Sequence, residues 1–585
     1  MGYNASMCGI FGVITTKSDA PSQVFSGLSD IEYRGYDSWG IASFIGNSFQ
    51  VVKNIGFLPK KLTLPKANLS IGHTRWATHG GVTVANAHPH LDCTKKLTIV
   101  HNGIVENYQD LQKKLKGHTF VSETDTEVII HLIEERMKTE KSLLRAVAVT
   151  FRSLKGLNAI VVSDGKSIVV AKKGSPLVVG KSKDGFLVAS DPNALLPYTK
   201  ELLFLEDETI LEMNEGLSTY GVLDLKPFKP SFQTVDWDYS ASTLKNYPHF
   251  MLKEMYEQPQ VLRNVLQNLD GIKDLAKVVK KAYGTYLIGC GTASYACLLG
   301  VYLFSAIAKK HVNYSIGSEF DYIEDYLTDK SLLIAVSQSG ETIDVIEPVT
   351  HAKVKKTTIV ALTNTLGSTL YRMADIKLLL QAGPEKAVAS TKAYIAMQAN
   401  ILLLSFAVAG RLEEGARIVE KSAKEVESVL KKIPQIKKLA NRISAADHMY
   451  ILGRGLSFPI ALESALKIKE TSYIHAEGFA GGELKHGALA LITTGTPVIV
   501  YVPNDETKEA VLANATEVKA RGAFVIGVSF QNNSAFDYFF EVKDTGASSV
   551  IPHVVFAQLL GYQLSLKRKI NPDKPRNLAK SVVVK

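Results

Sequence analysis

Apolar residues along this chain fall into short runs, and the spacing between the runs changes twice. Up to about Leu211 the runs are of strand length, as in the Gly-Ile-Phe-Gly-Val-Ile segment after Cys8, and each ends in a polar, glycine-containing turn. That pattern predicts sheets with two or more helices packed on them. Between residues 226 and 253 the periodicity lapses into sequence rich in Pro, Lys and aromatic residues, read as an interdomain linker anchored by Trp237 and Tyr239. Beyond it, apolar strands alternate with helical segments, and a weak internal repeat emerges. Residues 286–292 match 450–456, each an apolar strand running into a glycine turn, and 332–336 match 497–502 as 359–363 match 524–528. The expected fold class is therefore multidomain α/β, with the second half forming two doubly wound parallel-sheet lobes.

At 585 residues the chain is too long for one core, and such a length predicts about three or four domains. Charged residues at 21% and hydrophobic residues at 46% are ordinary for a globular protein. A net charge of +10 raises the question of a nucleic-acid partner. The lysines are scattered rather than clustered, so we read a solvated surface with positive potential available to anionic substrates, and no nucleic acid. Cys8, Cys93, Cys290 and Cys297 show neither disulfide nor zinc spacing, which suits a reducing cytoplasm and predicts no metal. Residues 393–410 form the longest apolar stretch, but Gln398, Asn400 and Ser405 interrupt it, so a buried helix is expected and no membrane span. The opening Met-Gly-x-x-x-Ser fits a permissive myristoylation pattern and is read as coincidence.

Two segments carry candidate chemistry on residue types alone. In residues 331–344 an apolar strand stops at a turn holding Ser337, Ser339, Gly340 and Thr342, after which a helix can start. Backbone N–H groups at a helix start, with three short hydroxyls, suit a phosphorylated small molecule; an ordinary strand-to-helix turn with capping serines fits equally well. No Walker lysine follows, and Pro348 predicts a short or kinked helix. In residues 460–474, Glu463, Lys467 and Glu470 share one helical face amid apolar neighbours. Taken alone, Glu463 and Lys467 read best as an i,i+4 surface pair.

The blocks around Cys8, Tyr33, His73–Gly80, His88, His101–Asn107 and Ser122–Glu127 resemble, closely and in order, the N-terminal-nucleophile glutaminase domain of glutamine-dependent amidotransferases. The resemblance implies an αββα domain in which Cys8 is the nucleophile and its own α-amino group the base. Asn102 and Gly103 would form the oxyanion hole, Arg75 would pair with the glutamine carboxylate, and Asp125 would take its ammonium. Trp76, Thr78 and His79 would lie in the loop closing over glutamine. A lone Cys is otherwise most often a buried structural thiol. One departure matters: residues 1–7 precede Cys8, and an amino group inside a peptide bond is no base. Either translation starts at Met7 and that Met is removed, or the extension is cleaved, or the glutaminase is inactive; Met7 directly before Cys8 favours the first, with residues 1–7 absent from the active form.

The second half resembles the paired sugar isomerase domains fused to such glutaminases. That implies phosphate contacts at Thr292, Ser337, Gln338, Ser339 and Thr342, and sugar contacts at Val388, Ser390 and Ala579. Only the first lobe has the Ser-Gln-Ser-Gly loop, so one phosphate site is expected. Glu470 would move a proton between C1 and C2 with Lys467 supporting it, His486 would open the sugar ring, and Lys580 would form a Schiff base with the open ketose. The tail around Lys580 otherwise reads as a disposable terminus. The sequence departs from the family pattern at Lys386 and Ala387, at Ala488, and at Ala293, where the family has a serine and Ser294 is adjacent.

The domains implied are an extension at 1–7, a glutaminase at 8–225, a linker at 226–255, lobes at 256–432 and 433–569, and a tail at 570–585. The reaction implied is L-glutamine plus D-fructose 6-phosphate giving L-glutamate and D-glucosamine 6-phosphate, the entry to amino-sugar synthesis. Ammonia would pass along a shielded path gated by Trp76, with no cofactor, in a cytoplasmic homodimer. Two other readings compete. An ammonia-dependent sugar-phosphate isomerase or synthase with an inactive glutaminase rests on the extension. A regulatory sugar-phosphate sensor predicts loss of Glu470, His486 and Lys580, all present here.

Overall fold

Strict alternation within each strand builds the first layers. In the computed structural model, which describes residues 5–6, 8–235 and 243–584, Trp237, Tyr239 and most of the extension before Cys8 lie outside the described residues. The chain divides into two compact units, Met1–Thr243 with Ala579–Lys585, and Leu244–Leu578.

The first unit stacks helix, sheet, sheet and helix. Strand β1 (Gly9–Thr15) pairs antiparallel with β2 (Leu69–Arg75), Gly9 opposite Thr74, within an eight-stranded sheet. Strand β3 (Thr98–Gly103) lies in a seven-stranded sheet, antiparallel to Asn158–Ser163. Neighbouring residues point into different cores, as the two-residue period requires. Ile10 and Val100 join Ile71 and Val161 between the sheets. Phe11 packs outward against Val24 and Leu28 of the helix Ala20–Ile31. Ile99 packs outward against Val128 and Ile129 of helix α1 (Asp125–Met137). Strands covered on both faces are buried throughout, as β2 is.

The second unit holds the repeat. Its first sheet runs in the order β5–β4–β6–β7–β8, where β4 is Gly284–Gly289, β5 Asn313–Ile316, β6 Ser331–Ser337, β7 Thr358–Thr363 and β8 Ile376–Leu379. Its second runs β10–β9–β11–β12–β13, with β9 His448–Gly453, β10 His475–Ala480, β11 Pro497–Val502, β12 Phe524–Ser529 and β13 Tyr538–Glu541. All pairings are parallel, and the register repeats: Leu287 aligns with Ile334 and Val360, as Ile451 aligns with Ile499 and Ile526. Helices α2 (Thr292–Leu303), α3 (Ile343–Val354) and α5 (Ser457–Ser472) follow β4, β6 and β9, giving the expected doubly wound lobes. The helix α3 does not stop at Pro348 but runs 12 residues through it.

The apolar helix α4 (Lys392–Val408) is buried at every residue except Ala407, as expected of a core helix. A second apolar helix, α6 (Val550–Lys567), passes unnoticed in the sequence because His553, Gln558 and Gln563 break its run. Together with the turn before it, Gly546–Lys567 is the one helical stretch among the described residues long and apolar enough to cross a membrane, and 94% of that window is buried inside the protein.

Candidate functional site

In the first unit, antiparallel pairing of β1 with β2 sets Cys8, just before β1, beside the end of β2 where Arg75 and Trp76 follow. The Trp76 backbone N–H points at the Cys8 sulfur at 3.3 Å, and the sulfur lies 3.5 Å from the Trp76 carbonyl. From the other sheet, Asn102 near the end of β3 donates from Nδ2 to the Cys8 carbonyl at 2.9 Å. Gly103 follows with φ of +138°, and a Cβ there would sit 2.1 Å from the Leu157 carbonyl oxygen, so only glycine fits.

The orientation of Asn102 has a cause that sequence reasoning missed. His73 Nε2 lies 3.1 Å from both Asn102 Oδ1 and the His101 carbonyl, so it carries the proton and donates to both. Burial drives the His73 pKa down to about 3 and keeps the ring neutral. The Asn102 amide is thereby locked with its NH₂ toward Cys8. Burial also pushes the Cys8 thiol up to about 11, against the Trp76 N–H and the Arg75 charge. At neutral pH the sulfur is a thiol, and attack on an amide carbon needs a neighbouring base.

Arg75 is buried and clamps a loop: its guanidinium donates to the His79 carbonyl, to Gly80 at 3.4 Å and to Gly81 at 3.1 Å. Asn86 and Glu123 hold the same loop, with Asn86 Nδ2 bridging the Gly81 carbonyl and Glu123 Oε2 at 3.0 and 2.9 Å. Thr78 and His79 are half-buried in it, His79 edge-on to Tyr108, and Trp76 packs edge-on against Tyr36. Asp125 opens α1, buried, and accepts the Val105 N–H at 2.7 Å. Neither Asn86 nor Glu123 stands out in the sequence, since each reads as a loop polar residue.

In the second unit, the first lobe gathers its hydroxyls at the carboxyl end of parallel strands, where such sheets bind ligands. Ser337 Oγ lies 3.2 Å from Thr342 Oγ1 and accepts the Gly340 N–H at 3.0 Å, while Ser339 Oγ accepts the Glu341 N–H at 3.2 Å. The Gln338 carbonyl accepts Asn364 N–H at 3.1 Å. Gly340 has φ of +66°, and a Cβ there would meet Ser368 Oγ at 2.1 Å. Thr342 occupies the N-cap position of α3 with its hydroxyl turned to Ser337 rather than to the helix, and Thr292 starts α2 after the neighbouring strand β4. Ser294 does not replace the missing family serine at Ala293, because it is buried with its hydroxyl 2.6 Å from that of Tyr314.

The second lobe contributes an ion triad. Glu463 and Lys467 are not a surface pair: both are fully buried on α5. Lys467 Nζ lies 3.5 Å from Glu463 Oε1 and 2.7 Å from Glu470 Oε2, and Thr292 Oγ1 of the first lobe donates to Glu463 Oε1 at 3.3 Å. Burial works against the Lys467 ammonium, yet the two carboxylates outweigh it and hold its pKa above the ordinary lysine value. Two carboxylates share one cation, and Glu470 is nearer and partly exposed, so Glu463 holds the proton: burial pushes it up to about 8. Among the described residues no hydrogen bond or ion pair joins His486 to this triad; it is exposed on a short 3₁₀ turn (Glu483–His486) after β10.

Ser390 donates to Glu385 at 3.0 Å, and Val388 N–H donates to the Asp573 carbonyl at 3.1 Å. The departures at Lys386 and Ala387 cost little, because both give their backbone N–H to Glu254, at 2.5 and 3.1 Å. The tail is not a loose terminus. Asp573 caps the helix Phe250–Val265 by accepting the Phe250 and Met251 N–H groups at 2.8 Å each, and the Arg576 guanidinium stacks on Tyr473. Ala579 and Lys580, both half-buried, belong to the first unit, where Val582–Val584 pairs with Ala5–Ser6.

The family model of the glutamine amidotransferase domain matches residues 73–197, and that of the SIS domain matches 280–407 and 442–544. Relatives named glutamine–fructose-6-phosphate aminotransferase (isomerizing) are similar over 99% of this chain and 100% of their own: 38% identical in Pyrococcus horikoshii and 40% in Thermus thermophilus. Among solved structures, the C-terminal domain of glucosamine-fructose-6-phosphate aminotransferase from Francisella tularensis is 32% identical with a TM-score of 0.53, covering 57% of this chain and 100% of that one. A tagatose-6-phosphate ketose/aldose isomerase from Escherichia coli, 18% identical with a TM-score of 0.50 over 56% of this chain and 95% of its own, shares the lobe fold.

Proposed function

The chain belongs to the glutamine–fructose-6-phosphate aminotransferase (isomerizing) family, and from that premise we propose how its residues divide the work. It converts L-glutamine and D-fructose 6-phosphate to L-glutamate and D-glucosamine 6-phosphate. In the first half-reaction the Cys8 thiol loses its proton to its own freed α-amino group and attacks the glutamine amide carbon. Asn102 Nδ2 and the Gly103 N–H hold the oxyanion, ammonia leaves, and water releases glutamate from the thioester. Arg75 exchanges its loop carbonyls for the glutamine carboxylate, Asp125 takes the ammonium, and Trp76, Thr78 and His79 close over the substrate.

In the second, Ser337, Gln338, Ser339, Thr342 and Thr292 hold the sugar phosphate, with Val388, Ser390 and Ala579 along the sugar. His486 opens the ring and Lys580 condenses with the C2 ketone, losing water. Ammonia displaces the lysine, and Glu470, poised by Lys467, moves the proton from C1 to C2. We place the enzyme in a reducing cytoplasm, consistent with four free cysteines, as a homodimer.

The reading is carried by one observation: the Cys8 sulfur lies against the Trp76 N–H while the His73-locked Asn102 amide points at Cys8. A chain retaining only ammonia-dependent isomerase activity has no need of that arrangement. The test is the intact mass of the protein made from its own gene, with glutamate release assayed on the same sample. A chain beginning at Cys8 that hydrolyses glutamine, and loses this in Cys8→Ala, is the expected result. A chain that keeps residues 1–7 and releases no glutamate would leave the ammonia-dependent alternative standing.

A further inference from the structure

Away from the residues assigned above, the first unit brings together Cys93, His118, His131 and Glu134. Cys93 lies in the turn before β3, His118 in the loop before α1, and His131 and Glu134 sit one turn apart on α1 itself. The Cys93 sulfur is 3.5 Å from His118 Nδ1 and 3.7 Å from His131 Nδ1. Glu134 Oε2 is 3.0 Å from His118 Nδ1 and 3.1 Å from His131 Nδ1. All four ligand atoms fall within 4.8 Å of one another. A tetrahedral zinc with its usual bond lengths separates sulfur from nitrogen by about 3.6 Å, and nitrogen from nitrogen or oxygen by about 3.3 Å. The two sulfur–nitrogen edges match that figure, and the two nitrogen–oxygen edges are slightly shorter.

Both rings of the cluster are shielded from water and flanked by carboxylates. The His118 and His131 side chains are 4% and 1% exposed, and their rings pack 4.8 Å apart. His118 presents Nδ1 to Glu134 and Nε2 to Glu135 Oε1 at 2.7 Å, and His131 presents Nδ1 to Glu134 and Nε2 to Glu127 Oε1 at 3.7 Å. A carboxylate only accepts, so each ring meets its two carboxylates either as an imidazolium donating from both nitrogens or as a neutral imidazole whose other nitrogen binds a cation. The near-tetrahedral grouping of the four ligand atoms favours the second case, a cation at the centre. Each Nδ1 lone pair then binds the metal, and each Nε2–H points at an outer carboxylate, the arrangement that orients histidine ligands in zinc sites. One thiolate, one carboxylate and two neutral imidazoles also balance the charge of a divalent ion.

We propose that Cys93, His118, His131 and Glu134 bind one zinc ion in a closed, four-coordinate structural site, with Glu127 and Glu135 as its outer carboxylates. Four protein ligands leave no open position for substrate, so the ion acts as a staple. It ties the turn at 93 and the loop at 118 to α1, whose first residue is Asp125. Glu127 extends the brace by accepting the Val121 and Ser122 N–H groups at 2.8 and 2.7 Å. The spacing of cysteines hides such a site, because one Cys, two His and one Glu come from three separate segments.

The full-length protein, purified without chelator, is assayed for metal by mass spectrometry, and the metal-stripped protein is titrated with Co²⁺. The expected result is about one zinc per chain, with tetrahedral cobalt bands and a thiolate-to-cobalt charge-transfer band in the near ultraviolet. Cys93 is exposed, so Cys93→Ser is expected to fold, to lose the charge-transfer band, and to bind zinc at least about tenfold more weakly. His131→Gln should lose the tetrahedral bands. Absence of both zinc and tetrahedral cobalt from the wild-type protein would overturn the proposal, as would equal metal binding by wild type and both variants.

Discussion

The two isomerase lobes share a strand order, a register and a helix after the matching strands β4 and β9 and after β6 and β11, yet they hold opposite kinds of chemistry. The first presents neutral hydroxyls and backbone N–H groups around Gly340, an environment for an anion that arrives with its own charge. The second buries Glu463, Lys467 and Glu470 against each other, with Glu463 and Lys467 wholly out of water. A parallel sheet leaves its carboxyl-end loops and helix starts free to vary, so duplication can keep the scaffold while the two ends diverge. Burying ions is costly and contributes little to stability compared with apolar packing. The helix α2, which matches α5, carries no charged residue, so a triad kept at that cost on α5 points to chemistry there, with the Thr292–Glu463 hydrogen bond joining the first lobe to it.

The sharpest way to break this comparison is Lys467→Ala, which leaves the Glu470 carboxylate and the buried Glu463 carboxyl without their shared cation in the second lobe. We expect a loss of about 3–5 kcal/mol in urea unfolding, and a fall in glucosamine 6-phosphate formation of about 10²–10⁴-fold. A mild effect on both would mean that the triad is a dispensable surface-like network. Gly340→Ala tests the first lobe. Its Cβ would sit 2.1 Å from Ser368 Oγ in a left-handed backbone, so KM for fructose 6-phosphate should rise by about 10–100-fold, equivalent to about 1–3 kcal/mol. Glutamate release measured without sugar phosphate should be unchanged.

A smaller effect concerns pH. Glu463 is raised from 4.5 to about 8. Below the lower value both folded and unfolded chains hold the proton. Between the two values the unfolded chain releases it and the folded chain keeps it, so stability falls as pH rises through that window, by at most about 1.4 kcal/mol per pH unit. Glu463→Gln should flatten this slope in chemical denaturation between pH 5 and about 8. An unchanged slope would show Glu463 ionised throughout.

The lobes were legible because their repeat is written in strand-then-glycine signatures that local sequence determines, as at 286–292 and 450–456. The spacing of Glu463, Lys467 and Glu470 was legible too, but its burial was not: an i,i+4 charge pair has the same pattern in water and in a core, and only the packing of α6 and α2 around α5 separates the cases. His73 shows no role in the sequence, since its effect runs through Asn102, a neighbour only after two sheets stack. Asp573 and the four ligands of the proposed zinc site share that difficulty, being assembled from distant segments. The short edge strands Pro227–Phe228 and Gln233–Thr234 sit in sequence read as linker, because two-residue pairings leave no periodicity.

The most direct measurement follows the nitrogen. The protein with Cys8 as its first residue is incubated with fructose 6-phosphate and glutamine labelled with ¹⁵N at the side-chain amide, and the products are analysed by mass spectrometry and NMR. The account predicts that the label appears in the amino group of glucosamine 6-phosphate, with one glutamate formed for each amino sugar. Glucosamine 6-phosphate formed without the label, or glutamate released with no amino sugar at all, would contradict it.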